Sequence, residues 1–298
     1  MSIPISKSIF EYDLLGGDSM LRVFVDSGSS IKQNEKDTYQ VEIMPLRILL
    51  GDKEYFDGID LTMDEFYHQL IDNNQFPKTS LPSIYEWTQK IEQCTKNGDD
   101  VIVLTISSKI SSTYESFHTA LKDNPKVRVI DTRIAVGGIR LLVDEINRNR
   151  DQDLDTIVEK VNQLIPRVKV LAIPESLTYL CKGGRLSKVS YLLGTAFKII
   201  PVITFKDGSV VVEKKLRGFK KGLQYIADSV KSMCSCLNHE IIASFTHTKE
   251  NVMELIRLLD DRLKGKIHVY DDLDPAVACH WGPNAVGLIF IADNNISI

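Results

Sequence analysis

Short apolar runs alternate with amphipathic stretches along the chain, and this alternation predicts most of its elements. Leu21-Arg22-Val23-Phe24-Val25 reads as a buried strand ending in the polar turn Asp26-Ser27-Gly28-Ser29-Ser30. A second apolar segment runs from Met44 to Leu50. Leu61 to Asn73 sets Leu61, Phe66, Leu70 and Ile71 at helical spacing, until Gln75-Phe76-Pro77-Lys78 breaks it. In Thr79-Ser80-Leu81-Pro82-Ser83-Ile84-Tyr85-Glu86, Ser83 and Glu86 match the capping box that opens a helix. The run Val101 to Ile106 is an almost continuous apolar strand leading into Ser107-Ser108-Lys109-Ile110-Ser111-Ser112-Thr113-Tyr114-Glu115, where Ser112 and Glu115 repeat that spacing. Val127 to Ile130 is the next strand; it ends at Asp131-Thr132 and is followed by a helix from about Val136 to Ile146.

Strand–helix alternation of this kind predicts a parallel sheet covered by helices, placed here in a domain over residues 20–165. The second half, residues 166–298, opens with a strand at Val168 to Ile173. A helix containing Leu177, Tyr179 and Leu180 then runs into Lys182-Gly183-Gly184-Arg185. Asp207-Gly208 between apolar flanks predicts a β-hairpin over Thr204 to Val211 and brings in antiparallel pairing. Gly222 to Leu237 and Asn251 to Leu263 read as helices, and Ile241 to Phe245, Ile267 to Tyr270 and Val286 to Ile291 as strands. The expected fold class is therefore α/β: an N-terminal parallel-sheet α/β domain plus a C-terminal α+β domain with helices on one face of its sheet. Residues 1–19 form an N-terminal extension.

Composition narrows the function classes. A chain of 298 residues with 43% hydrophobic content can bury a sizeable core. The net charge of -4 is small and mixed along the chain, which argues against nucleic acid as a partner. Cys94, Cys181, Cys234, Cys236 and Cys279 form neither a paired framework nor a zinc pattern, so a reducing cytoplasm and no metal are expected. Residues 1–19 carry Glu11, Asp13 and Asp18 and lack the features of a signal peptide. The most apolar window, Leu192 to Phe205, is interrupted by Lys198 and Pro201. It falls short of the ~20 residues that a membrane span needs.

Candidate chemistry concentrates where hydroxyls collect before two expected helix starts, Thr79-Ser80 and Ser107 to Thr113. Unpaired N–H groups at a helix start, joined by hydroxyls, suit a small anion, and the second segment lies at the carboxyl end of a strand. Capping alone also explains Ser and Thr at such places. Ser111 precedes the expected cap Ser112 and Thr79 precedes Ser83, so capping leaves both hydroxyls available. The G-x-S-x-G elbow and the G-x-x-x-x-G-K-[ST] phosphate loop are absent. Lys182-Gly183-Gly184-Arg185 reads as a glycine cap flanked by cations, or as an exposed Arg185 that docks a partner. Lys214 to Lys221 is the dense basic stretch, either a solvated face or a site for an anionic partner. His280 beside Trp281 reads by itself as a packed side chain.

Taken in order, Val25-Asp26-Ser27, Thr79-Ser80-Leu81-Pro82-Ser83, Ser107-Ser108 through Ser111-Ser112-Thr113-Tyr114, Asp131-Thr132, Lys182-Gly183-Gly184-Arg185, Arg217-Gly218 and His280 with Gly282-Pro283 resemble the DegV family of bacterial fatty-acid-binding proteins. The resemblance spans nearly everything after Met20. It implies an acyl chain in a tunnel between or within the two domains, no cofactor, and no catalytic residue in this chain. It further implies a substrate-presenting subunit: a separate ATP-dependent fatty-acid kinase phosphorylates the bound carboxylate, feeding phospholipid synthesis. By motif, Thr79, Ser80, Ser111 and His280 would meet the carboxylate, while Ser112, Arg185 and Arg217 would serve the head group or partner docking. Membrane contact would be transient, for lipid exchange. Ser112 stands where the family commonly has glycine, Asn284 ends a motif that commonly ends in glycine, and the stretch Arg133 to Gly138 lacks an expected serine. Asn tolerates a left-handed backbone, so that turn is expected to survive. Two rival functions are a lipid-sensing regulator docking through Arg185 or Lys214 to Lys221, and a stand-alone acyl hydrolase using Ser111 or Ser27 with His280.

Overall fold

The computed structural model describes residues 20–186, 199–234, 239–269 and 272–293. The N-terminal extension, Cys236, the end of the helix expected to reach Leu237, Tyr270 and the 192–198 part of the apolar window lie outside them. Strands β1 (Leu21–Asp26), β2 (Glu42–Met44), β6 (Asp100–Thr105) and β7 (Val127–Asp131) form an all-parallel sheet in the order β2-β1-β6-β7. Its strands read as continuous apolar runs because both faces are covered. Phe24, Val101 and Val103 pack under the helices Ile84–Lys96 and Thr113–Leu121, with Phe24 edge-on to Trp87 at 6.1 Å between ring centroids. Val23, Val25, Ile102 and Leu104 face the opposite way, into the largest core cluster.

The apolar segment Met44 to Leu50 serves two sheets rather than one. Pro45, with no N–H to give to a ladder, separates β2 from β3 (Arg47–Leu50). Strand β3 is the centre of a small antiparallel sheet, flanked by β4 (Lys53–Phe56) and β5 (Lys78–Ser80). Thr79 therefore stands on a strand opposite Ile48, and that strand precedes the expected helix, which begins at Ile84. The helix expected over Leu61 to Asn73 begins at Met63 and widens to a π-helical turn at His68–Asp72.

The second half carries a six-stranded sheet in the order β10-β9-β8-β13-β11-β12, built from β8 (Val168–Ile173), β9 (Ile199–Lys206), β10 (Ser209–Arg217), β11 (Ile241–Phe245), β12 (Ile267–Val269) and β13 (Val286–Ile291). The expected hairpin turn at Asp207-Gly208 joins β9 to β10, and only β11 and β12 pair in parallel. Alternate residues go to opposite faces. Leu171, Ile173, Leu288 and Phe290 pack on the helices Phe219–Met233 and Glu250–Arg257, the latter ending before Asp261–Lys264 instead of running on to Leu263. Val170, Ala172 and Ile289 join the core cluster of the first half. That face is covered by the helix Gly137–Arg148, so helices lie on both faces and one comes from the other half. A Cβ on Gly137 would lie 2.9 Å from Ile242, which shows how closely that helix approaches the sheet. The helices Leu154–Leu164 and Pro275–Trp281 had no counterpart in the sequence reading.

Candidate lipid-binding cavity

A cavity of about 310 Å³ opens where the parallel sheet, the small sheet and the second half meet. Its polar lining is Thr79, Ser80, Ser111, Ser112, Arg185 and His280; its apolar lining includes Leu46, Ile106, Leu180, Phe205, Val210 and Trp281. Six of the seven residues singled out by motif therefore share one space. Arg217 is the exception, exposed at the end of β10, an edge strand of the six-stranded sheet. Lys214 and Lys215 are exposed on the same strand, and charge on an edge strand also keeps other strands from adding to it.

His280 comes from the last turn of the helix Pro275–Trp281. Its Nε2 lies 3.1 Å from Thr79 Oγ1, joining β5 to that helix across the cavity, while Nδ1 is buried without a hydrogen-bond partner. Burial, reinforced by the nearby Arg185 charge, lowers its pKa to about 3, so the ring is neutral near pH 7. Gly183 makes this placement possible, because a Cβ there would meet Nδ1 at 2.2 Å. Gly184, at φ 75°, turns the chain out of the helix Thr178–Lys182, as the glycine-cap reading expected. Arg185 is half-buried rather than exposed. Its Nε donates to the Ile110 carbonyl at 3.0 Å and its guanidinium also meets the Gly183 carbonyl.

The loop after β6 is held from several sides. Ser107 Oγ donates to the Gly208 carbonyl at 2.7 Å, fastening the loop to the β9–β10 turn. Asp131 accepts from the Ser108 amide at 3.0 Å and from its hydroxyl at 2.6 Å. Both expected capping boxes lack their side-chain bond: neither Ser83 nor Ser112 caps through its hydroxyl. Ser111 instead accepts from the Thr113 amide at 3.3 Å and pairs with the Thr113 hydroxyl at 2.8 Å, so its hydroxyl is not left over from capping. Asn284 takes the left-handed backbone expected of it, at φ 60°.

The turn after β1 is structural. Asp26 accepts from Gly28 N at 3.0 Å and Ile106 N at 2.9 Å, and burial raises its pKa to about 7. Ser27 Oγ donates to Asp57 at 2.6 Å, and Asp57 also accepts from Ala276 N at 2.9 Å, fixing the helix that carries His280. Ser27 is buried and absent from the cavity lining, which removes it as a nucleophile paired with His280. Ser111 does line the cavity, but the imidazole bonds Thr79 and Ser111 bonds Thr113, so the nucleophile–base hydrogen bond of a hydrolase is missing. Among the described residues no cluster of His, Cys, Asp and Glu is arranged to hold a metal, and no helix is long and apolar enough to cross a membrane. The sequence gives no sign of Asp57, nor of the contact between Gly183 and His280 or the place of Trp281 in the cavity wall, because these depend on chain segments far apart in sequence.

Comparison with known proteins agrees with this architecture. The chain is 30% identical over 275 residues to a DegV domain-containing protein of Caldanaerobacter subterraneus, covering 91% of this chain and 98% of that one. The solved structure of a fatty acid binding DegV family protein from Streptococcus agalactiae superposes with a TM-score of 0.84 at 27% identity, covering 93% of this chain and all of that one. A stearic acid-binding protein from Eubacterium ventriosum gives a TM-score of 0.80 at 26% identity, covering 92% and 98% respectively. The DegV family model matches residues 20–293, and the chain belongs to the DegV family.

Proposed function

We propose that this protein binds a long-chain fatty acid in the cavity and presents its carboxylate to a separate ATP-dependent fatty-acid kinase. The observation that carries the binding step is that one cavity gathers hydroxyls, the His280 imidazole and Arg185 together with a larger set of apolar side chains, with Thr79 and His280 in direct contact. Each methylene removed from water contributes about 0.8 kcal/mol, so the tail supplies most of the affinity and the polar end supplies orientation. Thr79, Ser80, Ser111 and His280 meet the carboxylate. The neutral imidazole offers one donor and one acceptor and forms no full ion pair, which leaves the carboxylate nucleophilic.

The kinase step rests on the family resemblance. In this reading Ser112 and Ser80, both exposed, lie at the mouth that the partner reaches, and Arg217 serves docking. Arg185 orients the Ser111 loop through Ile110 rather than reaching outward. The lipid site lies between a domain of residues 20–165 and one of residues 166–298. Transfer of the acid requires only brief membrane contact, in the cytoplasm, and no cofactor.

Mass spectrometry of the purified protein, native and then denatured, tests the binding step. Near-stoichiometric release of a fatty acid is expected. An empty protein that also fails to bind added fatty acids would overturn the reading.

A further inference from the structure

Trp281 is the large side chain in the apolar wall, and it faces two spaces. It lines the 310 Å³ cavity and also a second void of about 20 Å³ walled by Val136, Val170, Ala172, Phe245, Ala285 and Ile289. The neighbouring pair Ala135 and Val136 divides in the same way, Ala135 lining the cavity and Val136 the void. Val136 holds φ 57° and ψ -155°, a backbone region that β-branched residues avoid, with its amide donating to the Gly28 carbonyl at 2.8 Å. The two spaces thus share Trp281 as a lining residue and take neighbouring residues of one strained turn, Ala135 and Val136, into their walls.

Resting on the fatty-acid reading above, we infer that Trp281 sets the longest acyl chain the cavity accepts, by closing off the second void. The void exceeds the roughly 10–15 Å³ that one water occupies, but its lining is almost wholly apolar, so a methylene suits it better than water. Gly287, which also lines the void, packs closely on β8, where an added Cβ would meet Ala172 Cβ at 2.7 Å and the Leu171 carbonyl at 2.8 Å. Removing the indole is then expected to lengthen the cavity by the space of the indole and of the void. A Trp281 that merely filled the core would instead lower stability and weaken every acid alike.

The test is affinity for a homologous series of saturated acids, lauric to arachidic, measured by calorimetry on the full chain. Trp281→Leu is expected to move the optimum to longer chains, with affinity rising about fourfold for each further methylene that becomes buried. Ala285→Val added to Trp281→Leu refills the void and is expected to move the optimum back. Trp281→Phe gives the same shift in smaller degree and serves if the leucine variant does not fold. An unmoved optimum with uniformly weaker binding would overturn the partition while leaving fatty-acid binding intact. Failure of the unmodified protein to bind any acid would overturn both.

Discussion

The loop Ser107 to Thr113 and the strand segment Thr79-Ser80 bring hydroxyls to the same cavity, but they are fastened very differently. The loop is tied to β7 through Asp131, to the β9–β10 turn through Gly208, to Ile134 by its Ser107 amide at 2.8 Å, and to Arg185 through the Ile110 carbonyl. Thr79 sits on β5, an edge strand of the three-stranded sheet, and its hydroxyl has one protein partner, His280. One side of the mouth is thus preorganised, and the other can exchange a protein contact for a ligand contact. On the proposed function, a carboxylate arriving between them would meet a fixed loop on one side and, on the other, an adjustable pair formed by Thr79 of the strand and His280 of the helix Pro275–Trp281.

The largest effect should come from cutting the loop free. Asp131→Ala removes the acceptor for the Ser108 amide, the Ser108 hydroxyl and the Arg133 amide. Bonds to a charged acceptor contribute about 1.5–3 kcal/mol, and the orphaned donors add to the loss, so a drop of about 3 kcal/mol is expected in urea denaturation. Fatty-acid affinity should fall with it. An Asp131→Ala protein of unchanged stability would mean that the loop is held by its other ties alone.

The strand side should show itself through pH. His280 has a folded pKa of about 3, below its ordinary value of 6.5, so folding favours the neutral ring. The stability this ring contributes is complete above about pH 6.5 and is lost as pH falls, because the unfolded chain then binds the proton more readily. The slope approaches about 1.4 kcal/mol per unit, giving a loss of about 2 kcal/mol by pH 5. Asp26 and Asp57 oppose this trend. Burial raises Asp26 to about 7, and burial together with the neighbouring Asp274 carboxylate raises Asp57, so their share of stability is greatest in acid and is lost as pH rises towards 7 and above. Subtracting the profile of His280→Gln from that of the unmodified protein isolates the imidazole. A difference that stays flat from pH 5 to 8 would show that His280 titrates normally.

Strands of the two larger sheets were readable from the chain where they are local apolar runs, as at Asp100–Thr105, Val168–Ile173 and Val286–Ile291, whereas β4 and β5 of the small antiparallel sheet were not. The helix Pro275–Trp281 was not either, since its short run of Ala, Val and Cys carries no helical stripe; its one local signal is Asp274 before Pro275. Thr79 does precede the helix that Ser83 announces, but the strand it stands on is created by Ile48, far away in sequence. The site residues came from the order of motifs, not from periodicity, and their convergence depends on contacts that no local pattern encodes. Gly183 against His280 is the plainest case, since a helix-capping glycine looks the same whether or not an imidazole lies where its side chain would be.

The finest comparison sets Thr79→Val against Ser111→Ala. Valine keeps the shape of threonine but gives His280 Nε2 nothing to bond, beside an Nδ1 that already lacks a partner. That should lower stability by about 1 kcal/mol and fatty-acid affinity about tenfold. Ser111→Ala loses the bond to the Thr113 hydroxyl and the long one from the Thr113 amide, but the loop keeps its ties through Ser107, Ser108 and Ile110, so about 0.5 kcal/mol of stability is expected to go. If the strand side is the adjustable one, combining Thr79→Val with His280→Gln costs little more affinity than either alone, because both break the same pair. Ser111→Ala should add fully to either. Additive losses at Thr79 and His280 would instead mean that each meets the carboxylate independently, and that the strand is as fixed as the loop.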